Sequence, residues 1–326
     1  MSLRRKVILA AGAMAAAIAF AATASAQMYA FGSGKQGSFT YSASAAIAKV
    51  AADHGMNLRL KPFGGQSAFV PGINAGEIQF GIANELDAHY AVTGAAIYKG
   101  KLQKNLRVLT VLTPLYSDLY VRKDSSIKTP ADLKGKRVPT GYVSQKVLGI
   151  LTQAVLANGG LTLDDVQHVP VPNVIGGANE FQQGKADTFM FAVGSGKVAE
   201  VNAKVGGIRV LPIDPSPKAM ERTRKFVPVA YASKIKPGRG RAGVDAPIWV
   251  FAVDFLVLVN KDVPDAEVYK LAKIMHDNKA GLAAGFGALH GFDPNRMAKE
   301  VSKLQFHPGA IKYYKEIGAW PPKNGS

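Results

Sequence analysis

The stretch FGSGKQGS, residues 31–38, carries Gly32, Gly34 and Gly37 at the spacing of a loop that holds a dinucleotide's pyrophosphate against a helix start. A dinucleotide site also needs an acidic residue at the end of the second strand, to take the ribose hydroxyls. That strand ends Leu60-Lys61-Pro62-Phe63, and Asp53 belongs to the helix before it. A P-loop needs Ser or Thr after its lysine, but Gln36 follows Lys35, and Tyr29 stands where the first glycine belongs. With nucleotides set aside, the physics of the loop remains. Glycines let backbone approach a ligand, and a helix start offers unpaired N–H groups with roughly half a positive charge. A carboxylate suits such a loop as well as a phosphate does.

Other chemistries find little support. No serine has glycines two residues to either side, so a nucleophile elbow is missing. The six histidines (His54, His89, His168, His276, His290, His307) show no i,i+4 pair, and the absence of cysteine removes thiolate metal sites, disulfides and a cysteine nucleophile together. Glu85 and Asp87 would point in different directions on a helix. The expectation is a binding protein with no metal and no cofactor. An exported enzyme whose site is assembled from distant residues is the alternative.

Arg4, Arg5 and Lys6 precede an alanine-rich apolar run that ends in Ala24-Ser25-Ala26, the pattern of a secretory signal peptide over residues 1–26 with cleavage before Gln27. The paired arginines resemble a twin-arginine signal, but their flanks fit poorly, so general secretion and a periplasmic location are expected. The formal charge is +17, of which +14 remains after the signal. Such a field draws anions. Nucleic acid is not the expected partner, because the basic residues are scattered rather than interleaved with aromatics. Lys234, Lys236, Arg239 and Arg241, around Pro237 and Gly238, read as a solvated basic loop.

From Gln27 onward short apolar strands alternate with amphipathic helices, the pattern of α/β layers. Strand, small polar loop and helix start recur three times: residues 28–31 before a helix over 38–54, 57–63 before 68–74, and 80–83 before Asn84-Glu85. Strands are predicted at 106–112 and 119–122, after which the repeat restarts at 137–139, followed by a helix over 145–157 and strands at 166–171, 188–192 and 208–213. Trp249 to Asn260 is a long apolar β-rich run that crosses back, with Trp249 read as core; helices are predicted at 265–278, 294–304 and 308–317. This gives two Rossmann-like lobes joined by two hinge strands, lobe 1 being 27–119 plus 249–326 and lobe 2 being 120–248. The ligand cleft then lies between them, at the carboxyl ends of the strands.

Four stretches resemble the TAXI-type solute receptors of TRAP transporters, within the type II periplasmic binding proteins: Gly32 to Tyr41, PGINAGEIQFGIAN from Pro71 to Asn84, TPADLKGKRV from Thr129 to Val138, and FHPGAIKYYKEIG from Phe306 to Gly318. The resemblance implies a monomeric receptor that closes on a small organic anion, a carboxylate or amino acid, and hands it to TRAP membrane permease subunits; a binding protein that feeds a sensor is the other outcome. By position it implies ligand contacts from Ser33, Gly34, Lys35, Gln36 and Tyr41, with Lys35 as counter-charge and Tyr41 as apolar wall. Gln66, Ser67, Asn84 and Glu85 complete lobe 1, Thr140, Tyr142, Ser144 and Gln145 close from lobe 2, and Tyr116 lines the cleft beside the hinge. The chain departs from the family pattern at Lys35, Gln36, Thr40, Gln66, Asn84-Glu85-Leu86 and Gln145-Lys146-Val147, so glutamate is not carried over with the fold.

Overall fold

The computed structural model describes residues 27–322, and the signal-peptide reading falls outside them. β1 (Met28–Ser33) leads through the glycine loop into α1 (Phe39–Asp53), whose first turn Ser38 caps by accepting the Tyr41 N–H at 3.2 Å. β2 (Asn57–Pro62), α2 (Gln66–Ala75), β3 (Phe80–Asn84) and α3 (Glu85–Thr93) repeat the unit. Helix α2 packs closely on the strands beneath it: a Cβ on Gly81 would sit 2.8 Å from the Phe69 ring and 2.9 Å from Ile73. Only glycine permits that approach.

β4 (Leu106–Arg122) is a single strand of 17 residues. The sequence predicts two shorter strands, 106–112 and 119–122. The chain runs straight through, with Pro114 opposite Asp254 and the missing regularity absorbed by two register shifts against β10 (Ile248–Asn260). Lobe 2 contains β5 (Arg137–Gly141), α4 (Val147–Asn158), β6 (Gln167–Val171), α5 (Val174–Gln182) and β7 (Phe189–Ala192). It continues with α6 (Gly196–Lys204), β8 (Ile208–Val210), α7 (Pro217–Arg224) and β9 (Tyr231–Ile235).

The two long strands join the lobes. The main sheet runs β2-β1-β3-β10-β4-β7, with β8 also on β4 and β9 also on β10, while β5 and β6 form a parallel pair. β4 pairs with β10 from Leu106 to Tyr116 and then with β7 and β8 from Ser117 to Arg122. β10 pairs with β9 from Ile248 to Ala252 and with β3 from Phe255 to Val259. Both strands therefore exchange partners where Tyr116 faces Ala252. Just beyond, the fully buried Asp118 accepts the N–H of Leu119 at 2.9 Å and that of Phe251 at 3.1 Å, tying β4 to β10 at the crossing. Burial pushes its carboxyl up to about 7, against the two N–H bonds, which favour the charged form.

The end of the chain returns to lobe 1 through α8 (Asp265–Asp277), α9 (Lys279–Gly285) and α10 (Pro308–Glu316). His307 is buried, caps α10 by accepting the Gly309 N–H at 3.2 Å, and places Gly309 so near Asp265 that a Cβ would meet its carbonyl. Tyr314 donates to the Leu109 carbonyl at 2.6 Å, so the FHPGAIKYYKEIG stretch serves to fasten α10 onto β4.

Two expectations are corrected. The predicted helix at 294–304 is a 3₁₀ turn over Pro294–Arg296 followed by irregular chain, because its backbone is drawn into other bonds: Val111 N–H reaches Met297 O at 3.0 Å, and Ser302 N–H reaches the Glu85 carboxylate at 2.9 Å. Trp249 is 37 % exposed rather than core. It lies near the start of β10, where strand alternation turns it outward before the strand becomes buried on both faces, and Lys234 Nζ stands 5.8 Å from its ring centre. Among the described residues no helix is long and apolar enough to cross a membrane.

Candidate functional site

Two openings lie along the seam between the lobes, and the first turn of α1 contributes to both. Ser38 and Thr40 line the smaller opening and Phe39 the larger.

The smaller opening is where the glycine loop, the Gly64–Gln66 turn and lobe 2 converge on Gln145 and Asn173–Ile175. The lobes are in contact there. A Cβ on Gly65 would lie 2.6 Å from the Gln145 Cβ, one on Gly64 2.8 Å from the Ser144 Oγ, and the Lys197 N–H of α6 reaches the Gly37 carbonyl at 3.4 Å. The space left is about 20 Å³, room for a single water. Much of the loop's hydrogen-bonding capacity is used internally. Gly34 N–H donates to Thr40 Oγ1 at 3.0 Å, Ser38 N–H to Lys35 O at 3.0 Å and Tyr41 N–H to Ser38 Oγ.

Of the residues expected at the ligand, Gly34, Lys35, Gln66 and Gln145 meet at this smaller opening. Ser33 is buried, its hydroxyl donating to the Gly34 carbonyl at 3.2 Å; Gln36 is exposed and Tyr41 half-buried at the loop. Gln66 Oε1 accepts both the Asn84 N–H at 3.1 Å and its side-chain amide at 2.5 Å, while Asn84 Oδ1 caps α3 by accepting the Asp87 N–H at 2.8 Å. Ser67 donates to Asp87 at 3.1 Å and Tyr98 donates to the other oxygen at 2.6 Å. Asp87 is thus the centre of a closed network beneath the loops. Burial raises its carboxyl to about 6, with the two hydroxyl donors opposing.

The remaining expected residues sit elsewhere. Glu85 turns away toward Ser302, its carboxyl raised by burial. Thr140 bonds the His168 ring at 3.2 Å and Ser144 donates to Pro172 O at 2.9 Å, while Gln145, which does line the smaller opening, spends its Oε1 on the Val174 N–H at 3.2 Å. Tyr142 is fully buried in lobe 2 with φ +39°. Tyr116 alone of the expected set lines the larger opening.

That larger opening, about 820 Å³, lies at the crossing of the hinge strands and is of the size that small-molecule pockets occupy. Lobe 1 supplies Phe39, Tyr116, Phe286, His290 and Arg296; lobe 2 supplies the turn after β7 and the 238–241 loop with Arg239 and Arg241. Phe39 stacks on Phe255 with ring centres 4.7 Å apart and meets Phe286 edge-on at 5.1 Å, so the apolar part of the wall is anchored to β10. No Asp or Glu lines the opening. Among the described residues none of the three arginines has a carboxylate partner, and Arg241 is held only by the Lys236 carbonyl at 2.9 Å. The buried carboxylate on the crossing strand is already engaged: Asp254 accepts from Lys299 at 2.5 Å and from Tyr231 at 3.0 Å, joining β9 of lobe 2 to the C-terminal segment of lobe 1.

Sequence reasoning missed Arg296 and His290; the solvated basic loop it expected is exposed from Lys236 to Gly240, with Arg241 half-buried beside the opening. Their convergence joins segments some fifty residues apart, and no local spacing announces it. Among the described residues no group of three His, Cys, Asp or Glu side chains could hold a metal ion.

A family model described as the NMT1-like family matches residues 31–318. Among solved structures, a periplasmic transporter aligns with TM-score 0.56 at 15% identity, over 91% of this chain and 94% of its own. The putative periplasmic sulfonate-binding protein SsuA of Methylobacillus flagellatus KT aligns with TM-score 0.50 at 16% identity, over 92% and 98%. The amino acid ABC transporter substrate-binding protein AbpA of Streptococcus pneumoniae, bound to L-arginine, aligns with TM-score 0.50 at 13% identity, over 80% and 94%. At these identities the likeness is one of fold, the two-lobed α/β fold of periplasmic solute-binding proteins.

Proposed function

The chain belongs to the NMT1-like family, and we propose that it is an exported, periplasmic receptor that captures a small organic anion between its lobes and delivers it to a membrane permease. The observation that carries this reading is the larger opening: three guanidinium groups without carboxylate partners, drawn from both lobes, around a cavity with no acidic wall. Arg239 is exposed and Arg241 and Arg296 are half-buried, so an arriving anion meets guanidiniums that no carboxylate already neutralises. Each charge-assisted hydrogen bond to a carboxylate is worth about 1.5–3 kcal/mol net, so three contribute about 4.5–9 kcal/mol, and the roughly 8 kcal/mol of micromolar binding draws also on burial of the ligand's carbon frame. Arg296 approaches from lobe 1 and Arg239 and Arg241 from lobe 2, so an anion shared among them favours closure about the Tyr116–Ala252 crossing.

The likeness to periplasmic solute-binding folds supports a receptor whose partner is a permease. The resemblance of Pro71–Asn84 and Phe306–Gly318 to TAXI receptors favours a permease of the TRAP type in this reading. Thermal unfolding of the mature protein against a panel of organic anions tests the receptor reading. A ligand at a hundred times its dissociation constant adds about 2.7 kcal/mol, an upward shift of roughly 5–10 °C for a chain of this size. The anion should be recovered chemically unchanged. A panel without any shift, or a ligand consumed on incubation, contradicts a receptor.

A further inference from the structure

We infer that the ligand is an acid with two or more anionic groups and no ammonium group, a class that excludes amino acids. The inference rests on the receptor reading and narrows it. An α-amino acid brings an ammonium that must meet a carboxylate or be held far from other cations. The larger opening offers no carboxylate: its lining contains neither Asp nor Glu, and the buried Asp254 is taken by Lys299 and Tyr231. An ammonium placed there gains no carboxylate and meets like charge from the three guanidiniums that line the opening.

The arginines are also divided in a way that a single carboxylate cannot satisfy. Arg239 and Arg241 enter on one loop of lobe 2, whereas Arg296 enters on the 3₁₀ turn of lobe 1. A monoanion neutralises one side and leaves the other unpaired. An acid with separated anionic groups serves both, and each guanidinium can take a carboxylate by two parallel bonds. The carbon frame between those groups lies against Phe39, Phe286 and the alanines of α9. The volume of about 820 Å³ leaves room for a ring.

Isothermal titration of the mature protein with four probes tests this: isophthalate against benzoate, and glutarate against L-glutamate. Isophthalate should bind at least tenfold tighter than benzoate, and glutarate at least tenfold tighter than L-glutamate. Arg296→Gln should erase most of the isophthalate advantage while changing benzoate affinity less than threefold. Benzoate equal to isophthalate, or L-glutamate equal to or tighter than glutarate, overturns the class while leaving an anion receptor in place. Absence of binding by all four overturns the class as well, and the wider anion panel then decides whether the receptor reading falls with it.

Discussion

The two ends of the interlobe seam make opposite use of the same chain. At one end the glycine turns of lobe 1 touch Ser144 and Gln145 of lobe 2, the loop's donors are spent within lobe 1, and about 20 Å³ remains. At the other, about 820 Å³ stays open among arginines that have no carboxylate partner. The first end is rich in the residues usually associated with gripping an anion, and the second holds the unsatisfied charge. A loop's composition shows what its backbone permits; where a ligand goes is decided by which polar groups are left unpaired after folding.

The largest effects should follow from the arginines. Arg239→Gln, Arg241→Gln and Arg296→Gln are each expected to weaken isophthalate binding by about 10- to 100-fold, the equivalent of one charge-assisted hydrogen bond, with melting temperatures within a few degrees of the parent. Titration calorimetry checks both lobes' contributions, and an unaffected Arg296→Gln would remove lobe 1 from the site. Gly65→Ala should come next. Its Cβ needs the space of the Gln145 side chain, so the lobes must part and affinity should fall about tenfold through the lost closed state rather than through a lost contact. Small-angle scattering should then show a more open molecule in the presence of anion; an unchanged profile would mean that Gln145 simply yields.

The network beneath the closed end is a matter of stability. Tyr98→Phe deprives the buried Asp87 of its shortest hydrogen bond and should cost about 1–3 kcal/mol in denaturant unfolding, with anion affinity changed less than threefold. Acid titration separates the carboxylates further. Asp118 and Asp87 are pushed up to about 7 and about 6 by burial, so the folded protein keeps protons that the unfolded chain releases near 4. Their contribution is fully present below about pH 4 and is lost as pH rises through 6 to 7, and replacing both by Asn should flatten that decline. Glu200, held down to about 2 by Lys197 and Lys204, works the other way, its contribution disappearing as pH falls below about 4. The smallest effect is expected at Lys35→Ala, less than threefold in affinity, since Lys35 is exposed at the closed end.

Much of the fold was legible because its signals are local. The glycine loop, the cap at Ser38 and the run from Trp249 to Asn260 each fix an element within a few residues of where it forms. The predicted break between 106–112 and 119–122 is absent because β10 pairs across it with shifted register, Pro114 included, which only the partner strand reveals. The 294–304 segment has the spacing of a helix, but Glu85 and β4 compete for its backbone, and that competition is decided by tertiary neighbours. The site was harder still. Arg239 looks solvated in sequence and is exposed; what places it and Arg241 at the opening, a wall without acid built from five distant segments, has no local signature. Tyr116 was found because it precedes the hinge, and a hinge position is legible from topology.

The most direct measurement is a crystal structure of the mature protein with 5-bromoisophthalate, whose bromine marks its position by anomalous scattering. The anomalous peak should lie in the larger opening, with the carboxylates against Arg296 on one side and the Arg239–Arg241 loop on the other. A peak seated instead among Gly34, Gly65 and Gln145, with the arginine-lined space unoccupied, would contradict the account.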